Sequence, residues 1–304
     1  MGASLTDENF FTPVDMINFS IFNTIIFLME YLYFFPVYCS KFQNNIIFLI
    51  LPHKYINRDK MEKKVKFLCL NKILPGGIPV GEQVLISGTP GTGKTALAMQ
   101  FIYEGANSGE NGLYVTLDGG GIDSVLDEAA SFGMDFRQLT SKKKIDVIRL
   151  DPTDIYAFLD DLEKNVKKLN AKRLVIDSLS ILTVYAASYR NLPEDIIAFL
   201  QETKYKPPIT MSDNIKKQMI YTVLREIRRM GCTTIMISEL PREARWYSRD
   251  TVSEFACGGI ILLEYHLLGG AGVSRTLSVV KMRKTKYVEG VHEFKLTSSG
   301  FKLV

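Results

Sequence analysis

The stretch Val84-Leu85-Ile86-Ser87-Gly88-Thr89-Pro90-Gly91-Thr92-Gly93-Lys94-Thr95 decides how the rest of the chain is read. Its first four residues form a short apolar run, which predicts a buried strand. The next eight fit G-x-x-x-x-G-K-[S/T] at every fixed position. Gly88, Gly91 and Gly93, with Thr89, Pro90 and Thr92 between them, let backbone N–H groups curl around phosphate oxygens. Lys94 is then placed to reach the outer phosphates, and the Thr95 hydroxyl to hold Mg²⁺. Leu97, Ala98, Phe101 and Ile102 follow at helical spacing and predict a helix from Thr95 to about Glu104. Strand, loop and helix are the context a phosphate cradle requires, so a nucleoside triphosphate is the expected ligand.

Outward from this point the chain alternates. Strands are predicted at Leu113–Leu117, Ile145–Leu150, Leu174–Ile176 and Thr234–Ser238. Helices are predicted at Ser124–Phe132, at Asp154–Leu169 with Asp154 as its cap, and at Asp213–Met230. On the last, Ile215, Met219, Val223, Ile227 and Met230 mark the inner face. Ile260–Tyr265, Thr276–Met282 and Val291–Leu296 lie close enough in sequence to be antiparallel neighbours. The expected fold class is α/β, a mostly parallel sheet flanked by helices, with antiparallel strands at the C-terminal end. Asp177 ends an apolar strand about eighty residues after Lys94, where a second Mg²⁺-shell carboxylate belongs.

Several runs together resemble the RecA superfamily: Gly76-Gly77-Ile78-Pro79, the phosphate loop, and Leu174-Val175-Ile176-Asp177-Ser178. Within it the chain is similar to KaiC-type and archaeal RadA-paralogue ATPases. Ser131-Phe132-Gly133-Met134-Asp135, Val252-Ser253-Glu254-Phe255 and Lys281-Met282-Arg283-Lys284-Thr285 fit the same family. The resemblance covers residues 61–304, read as one ATPase domain. It implies a RecA-like core, ATP and Mg²⁺ as ligands, and a nucleotide site at the edge of a protomer–protomer interface in a ring or filament.

The resemblance also assigns roles, and one departure from it matters. The family carries a catalytic glutamate, often two, after the strand that follows the phosphate-loop helix. Here Asp118-Gly119-Gly120-Gly121 stands there, so Asp118 has one methylene less reach and the second acidic position is empty. Asp118 is the candidate water-orienting base or the start of a turn, and slow hydrolysis is the expectation. Glu239, at the end of Thr234–Ser238, is the fallback water- or γ-phosphate-sensing group. Lys281 and Arg283 leave one face of a strand. The resemblance makes them fingers for a neighbour's γ-phosphate, and a solvated basic edge strand is the plainer reading.

Two stretches match the single-strand-binding loops of RecA-like recombinases. Residues 185–212 offer Tyr185, Tyr189, Arg190, Lys204, Tyr205 and Lys206. Residues 239–257 offer Arg242, Arg245, Trp246, Tyr247 and Arg249, and Arg225, Arg228 and Arg229 stand ready to extend that surface. Cations interleaved with aromatics suit stacking on unpaired bases, and packing at a subunit interface is the alternative. Two functions stay open: an accessory factor of DNA recombination or repair binding single-stranded DNA, or a nucleotide-operated signalling or assembly switch. No helix-hairpin-helix pattern precedes the core, which speaks against a main strand-exchange recombinase.

Composition sets the outer bounds. Over 304 residues the chain is 46% hydrophobic and 23% charged with a net charge of +4, which excludes wholesale disorder and fibrous classes. Four scattered cysteines and three histidines give neither a disulfide framework nor a clustered zinc site, so a reducing, cytoplasmic setting is expected. Residues 1–60 differ from the rest, holding nine of the eighteen phenylalanines. Ile17–Cys39 is long enough to cross a bilayer, with Lys41, Lys54, Arg58 and Lys60 behind it, but it carries Glu30 near its centre. Translated upstream sequence with the natural start at Met61, a membrane anchor and a partner-docking segment are the three readings of this extension.

Overall fold

The computed structural model describes residues 38–42, 45–49, 63–185, 209–267 and 272–304. The chain divides into two compact units, Met1–Met61 and Glu62–Val304. In the first, β1 (Tyr38–Phe42) and β2 (Asn45–Leu49) form an antiparallel hairpin. The candidate span Ile17–Cys39 lies outside the described residues except for its last two, which enter β1. Among the described residues no helix is long and apolar enough to cross a membrane.

The second unit is built on one nine-stranded sheet. In chain order its elements are β3 (Lys64–Val65), β4 (Ile78–Pro79), β5 (Gln83–Gly88), α1 (Lys94–Asn107), β6 (Gly112–Thr116) and α2 (Gly121–Ser131). There follow α3 (Phe136–Ser141), β7 (Ile145–Arg149), α4 (Ile155–Leu169), β8 (Arg173–Asp177) and α5 (Leu179–Tyr185). The remainder are α6 (Ile209–Arg229), β9 (Thr233–Glu239), α7 (Ser253–Ala256), β10 (Gly259–Leu267), β11 (Val273–Met282), β12 (His292–Thr297) and β13 (Gly300–Leu303). The strand order is β13-β12-β11-β10-β5-β9-β8-β6-β7, with β3 and β4 paired separately. From β10 to β7 every pairing is parallel; β11, β12 and β13 continue the sheet antiparallel. This is the expected α/β class, with C-terminal antiparallel strands.

The two faces follow from strand alternation. Val84, Ile86, Tyr114, Val175, Ile235 and Ile237 point into the layer that holds α1, α2 and α3. Leu85, Leu113, Val115, Leu174, Ile176 and Met236 point into the layer of α4 and α6. On α4, Ile155, Phe158, Leu162 and Val166 recur at helical spacing and are buried, each contributing about 1.5–3 kcal/mol on burial. Asp154 caps this helix as expected, accepting from the Tyr156 and Ala157 N–H groups at 3.0 Å each, which is worth about 1 kcal/mol.

Three differences from the sequence reading have physical causes. The α2 helix begins at Gly121 instead of Ser124, because its opening turn is built on Gly120 and Gly121 (φ +77°), glycines that read from sequence as loop. The short α3, α5, α7 and β13 were not legible, since fewer than two turns or a four-residue edge strand carry too little periodicity. β8 begins at Arg173, not Leu174, and this arginine is only 1% exposed. Its guanidinium donates to Glu110 Oε2 at 2.6 Å, the Phe101 carbonyl at 2.7 Å and the Lys66 carbonyl at 2.9 Å. It also lies 4.7 Å from the centre of the Phe101 ring.

Candidate functional site

The parallel strands deliver their C-terminal ends to one edge of the sheet, where crevices form and ligands bind in open α/β sheets. Gly88 ends β5 there, and the phosphate loop leads from it into α1. The loop needs left-handed backbone at Gly91 (φ +80°) and Gly93 (φ +98°), which a side chain resists. At Gly93 a Cβ would also stand 3.0 Å from Leu296 of β12. Thr92 Oγ1 donates to the Thr89 carbonyl at 2.8 Å and closes the turn. Lys94 is buried, and its Nζ donates to the same carbonyl at 2.9 Å. Burial lowers the Lys94 ammonium pKa, while the carboxylates of Glu239 and Asp177 raise it.

Two strand ends supply acidic groups around this lysine, and a third carboxylate follows the neighbouring strand β6. Asp177 closes β8, and its Oδ2 accepts from Thr95 Oγ1 at 3.1 Å and from the Tyr114 hydroxyl at 2.7 Å. Burial pushes the Asp177 carboxyl up, the two hydroxyls pull it down, Glu239 raises it further and Lys94 lowers it. Glu239 closes β9; its carboxylate is exposed, and its N–H donates to Ser180 Oγ at 2.8 Å. Asp118 stands beyond β6, two residues past Thr116, which pairs with Asp177. The aspartate is exposed, and its Oδ1 accepts from the Gly119 N–H at 2.6 Å. The structure thus brings Lys94, Thr95, Asp177 and Glu239 together, with Asp118 on the adjoining loop.

The donor set can be tested against Mg²⁺. This ion takes oxygen ligands and is usually held by one or two protein groups together with substrate phosphates. Thr95 and Asp177 present such a pair of oxygens beside the loop. Among the described residues no group of three or more His, Cys, Asp or Glu stands close enough to hold a metal without other ligands. The Thr95–Asp177 pair fits a magnesium nucleotide, in which the phosphates complete the ion's oxygen ligands.

Lys281 and Arg283 lie elsewhere. Because β11 runs antiparallel to β10, its last residues sit beside Gly259 and Ile260, level with Val84 and Leu85 at the far end of β5. Half-buried Lys281 donates to the Glu254 carbonyl at 2.6 Å, and exposed Arg283 to the Phe255 carbonyl at 3.4 Å. The two therefore share a side, as their spacing predicts, and face α7. Arg275 was missed by sequence reasoning: it comes early in β11, stacks 5.6 Å from the Tyr265 ring centre and donates to the Gly91 carbonyl at 3.4 Å.

Arg242, Arg245, Trp246, Tyr247 and Arg249 are all exposed. The first four line a cavity of about 1020 Å³ together with Thr89, Pro90, Tyr265 and Arg275. Glu254 holds their loop, accepting from the Tyr247 N–H at 2.5 Å and the Ser248 N–H at 2.9 Å. Of the earlier stretch, Tyr189, Arg190, Lys204, Tyr205 and Lys206 lie outside the described residues. The α6 arginines add less free charge than their number implies. Arg225 and Arg229 pair with Glu226 at 3.2 and 3.0 Å, and Arg228 with Glu82 at 3.7 Å. Tyr114 was also missed, although a polar-tipped aromatic inside an apolar strand was the available signal.

The circadian clock oscillator protein KaiC of Synechococcus elongatus is 27% identical over 240 residues, covering 75% of this chain and 41% of its own. The chain thus spans about two-fifths of the length of that relative. A UPF0273 protein of Pyrococcus furiosus is 31% identical over 248 residues, 76% of this chain and 89% of its own. The crystal structure of a KaiC-like protein from Pyrococcus horikoshii superposes with a TM-score of 0.62 at 29% identity, covering 80% of this chain and 97% of the other. The family model described as "ATPase: KaiC" matches residues 67–206 and 203–304, and the chain belongs to that family.

Proposed function

We propose that residues 61–304 form an Mg²⁺-dependent ATP-binding unit that hydrolyses slowly and works as a nucleotide-operated switch in a homo-oligomeric ring or filament. The observation that carries this is the meeting of Thr95 with Asp177 at the mouth of the phosphate loop. Lys94 and the loop N–H groups hold the phosphates; Thr95 and Asp177 hold the metal, which when bound offsets phosphate charge. Asp118 orients the attacking water from its loop, and Glu239 senses the outer phosphate. Two features support slow turnover: Asp118 is exposed and bonded to its own neighbour, and Gly119 leaves no second carboxylate. Lys281 and Arg283, at the far end of β5, serve the neighbouring protomer's nucleotide. A relative that is a clock oscillator protein supports a switch.

A second reading, a DNA-repair accessory, is favoured by the arginine- and aromatic-lined cavity that opens beside Thr89 and Pro90. One experiment serves both. ATP binding and hydrolysis are measured with and without Mg²⁺ and single-stranded DNA, with Lys94→Ala as control. Tight Mg²⁺-dependent binding, turnover well below that of a fast ATPase and no response to DNA are expected. Lys94→Ala should weaken binding roughly a hundredfold, as for loss of a charge-assisted contact with phosphate. DNA-stimulated turnover would instead establish the second reading, and wild-type affinity in Lys94→Ala would refute the site.

A further inference from the structure

We propose that Tyr114 is a positioning residue for Asp177, and that its hydroxyl sets how tightly the site takes magnesium with nucleotide; this rests on the reading of Asp177 given above. Tyr114 sits mid-strand in β6, fully buried, with its ring edge-on to Phe136 at 6.4 Å between centres. A buried tyrosine hydroxyl needs a hydrogen-bond partner. Here the partner comes from the neighbouring strand β8: Asp177 Oδ2, at 2.7 Å. Thr95 Oγ1 reaches the same oxygen at 3.1 Å, so two hydroxyls converge on one side of the carboxylate.

The two donors are not equivalent. Thr95 belongs to the phosphate-loop motif, and its oxygen would be needed by the metal in a filled site. The Tyr114 hydroxyl is fixed by its buried, packed ring and would remain on Asp177 with the site filled. The carboxylate is also faced by Lys94 from α1, Glu239 from β9 and Glu128 from α2, so two of its charged neighbours repel it. A fixed donor behind a ligating carboxylate holds its orientation toward the ion, and losing such a donor typically costs about 10–100-fold in metal affinity.

The test uses the full chain, a fluorescent ATP analogue and a Mg²⁺ titration. Tyr114→Phe keeps the ring and removes only the bond. It should raise the Mg²⁺ concentration for half-maximal binding about tenfold. Its affinity for the analogue in EDTA and its melting midpoint should stay close to wild type. Asp177→Asn should abolish the Mg²⁺ response, and adding Tyr114→Phe to it should change nothing more. An unchanged Mg²⁺ midpoint in Tyr114→Phe overturns the proposal. So does equal weakening with and without Mg²⁺, which marks a merely structural role. A wild-type protein with no Mg²⁺ dependence overturns the reading of the site itself, and this proposal with it.

Discussion

The two ends of the parallel strands use similar polar chemistry to opposite purpose. At the C-terminal ends Lys94, Asp177 and Glu239 gather beside the phosphate loop, with Asp118 on the loop after β6. At the N-terminal ends the polar groups are spent on the protein itself. Arg173 ties three segments together, Gln83 Nε2 donates to the Leu224 carbonyl at 2.8 Å, and the Gly81 N–H donates to Thr233 Oγ1 at 3.0 Å. The difference teaches where to look for function: one end is tied shut, the other is left for a ligand. Only β11, running the other way, carries candidate catalytic cations to the tied end. Within one protomer Lys281 and Arg283 are therefore on the wrong edge for their own phosphate loop, so the finger role proposed for them requires a second copy.

The sharpest way to break this comparison is to remove those cations. Lys281→Ala with Arg283→Ala should lower kcat about a thousandfold, the scale of a finger supplied in trans, and leave ATP affinity nearly unchanged. Mixing this variant with Lys94→Ala should restore turnover, since each supplies what the other lacks. No restoration would place the finger in its own protomer or nowhere.

Next in size is the tied end. Arg173→Ala leaves Glu110 and two carbonyls without their donor, and should cost about 3–5 kcal/mol of stability. Denaturant unfolding reads this directly, and ATP affinity of the folded fraction should not move. A changed affinity would show that the two ends communicate.

The smallest effect is an expected silence. Burial pushes the Cys257 thiol from its usual value near 9 up to about 12, and the Cys232 thiol up to about 11. Both stand just before strands, Cys232 ahead of β9 and Cys257 ahead of β10, at the tied end. Raised folded values mean that this contribution to stability is whole below about pH 9 and lost as pH rises through 11 to 12. At pH 8 neither thiol should react with iodoacetamide until the protein is unfolded. Rapid native labelling would show that this end opens.

Much of this was legible beforehand. The phosphate loop, Asp177 and the alternation of strands and helices rest on local rules, and Val84–Ser87 followed by Gly88–Thr95 shows those rules at work. Short elements such as α7 escaped because one turn has no period to detect. Arg173 escaped because an arginine reads as surface until three segments converge on it.

The sequence by itself determined the fold class, the phosphate loop and the order of the acidic strand ends, because strand and helix periods and turn glycines act within a few residues. Only the tertiary structure decided which distant groups meet. Tyr114 on Asp177, Arg275 by Gly91, and Lys281 on α7 far from the loop all depend on strand order and direction. Those are set by packing both sheet faces at once, a constraint that joins residues a hundred positions apart and leaves no local trace.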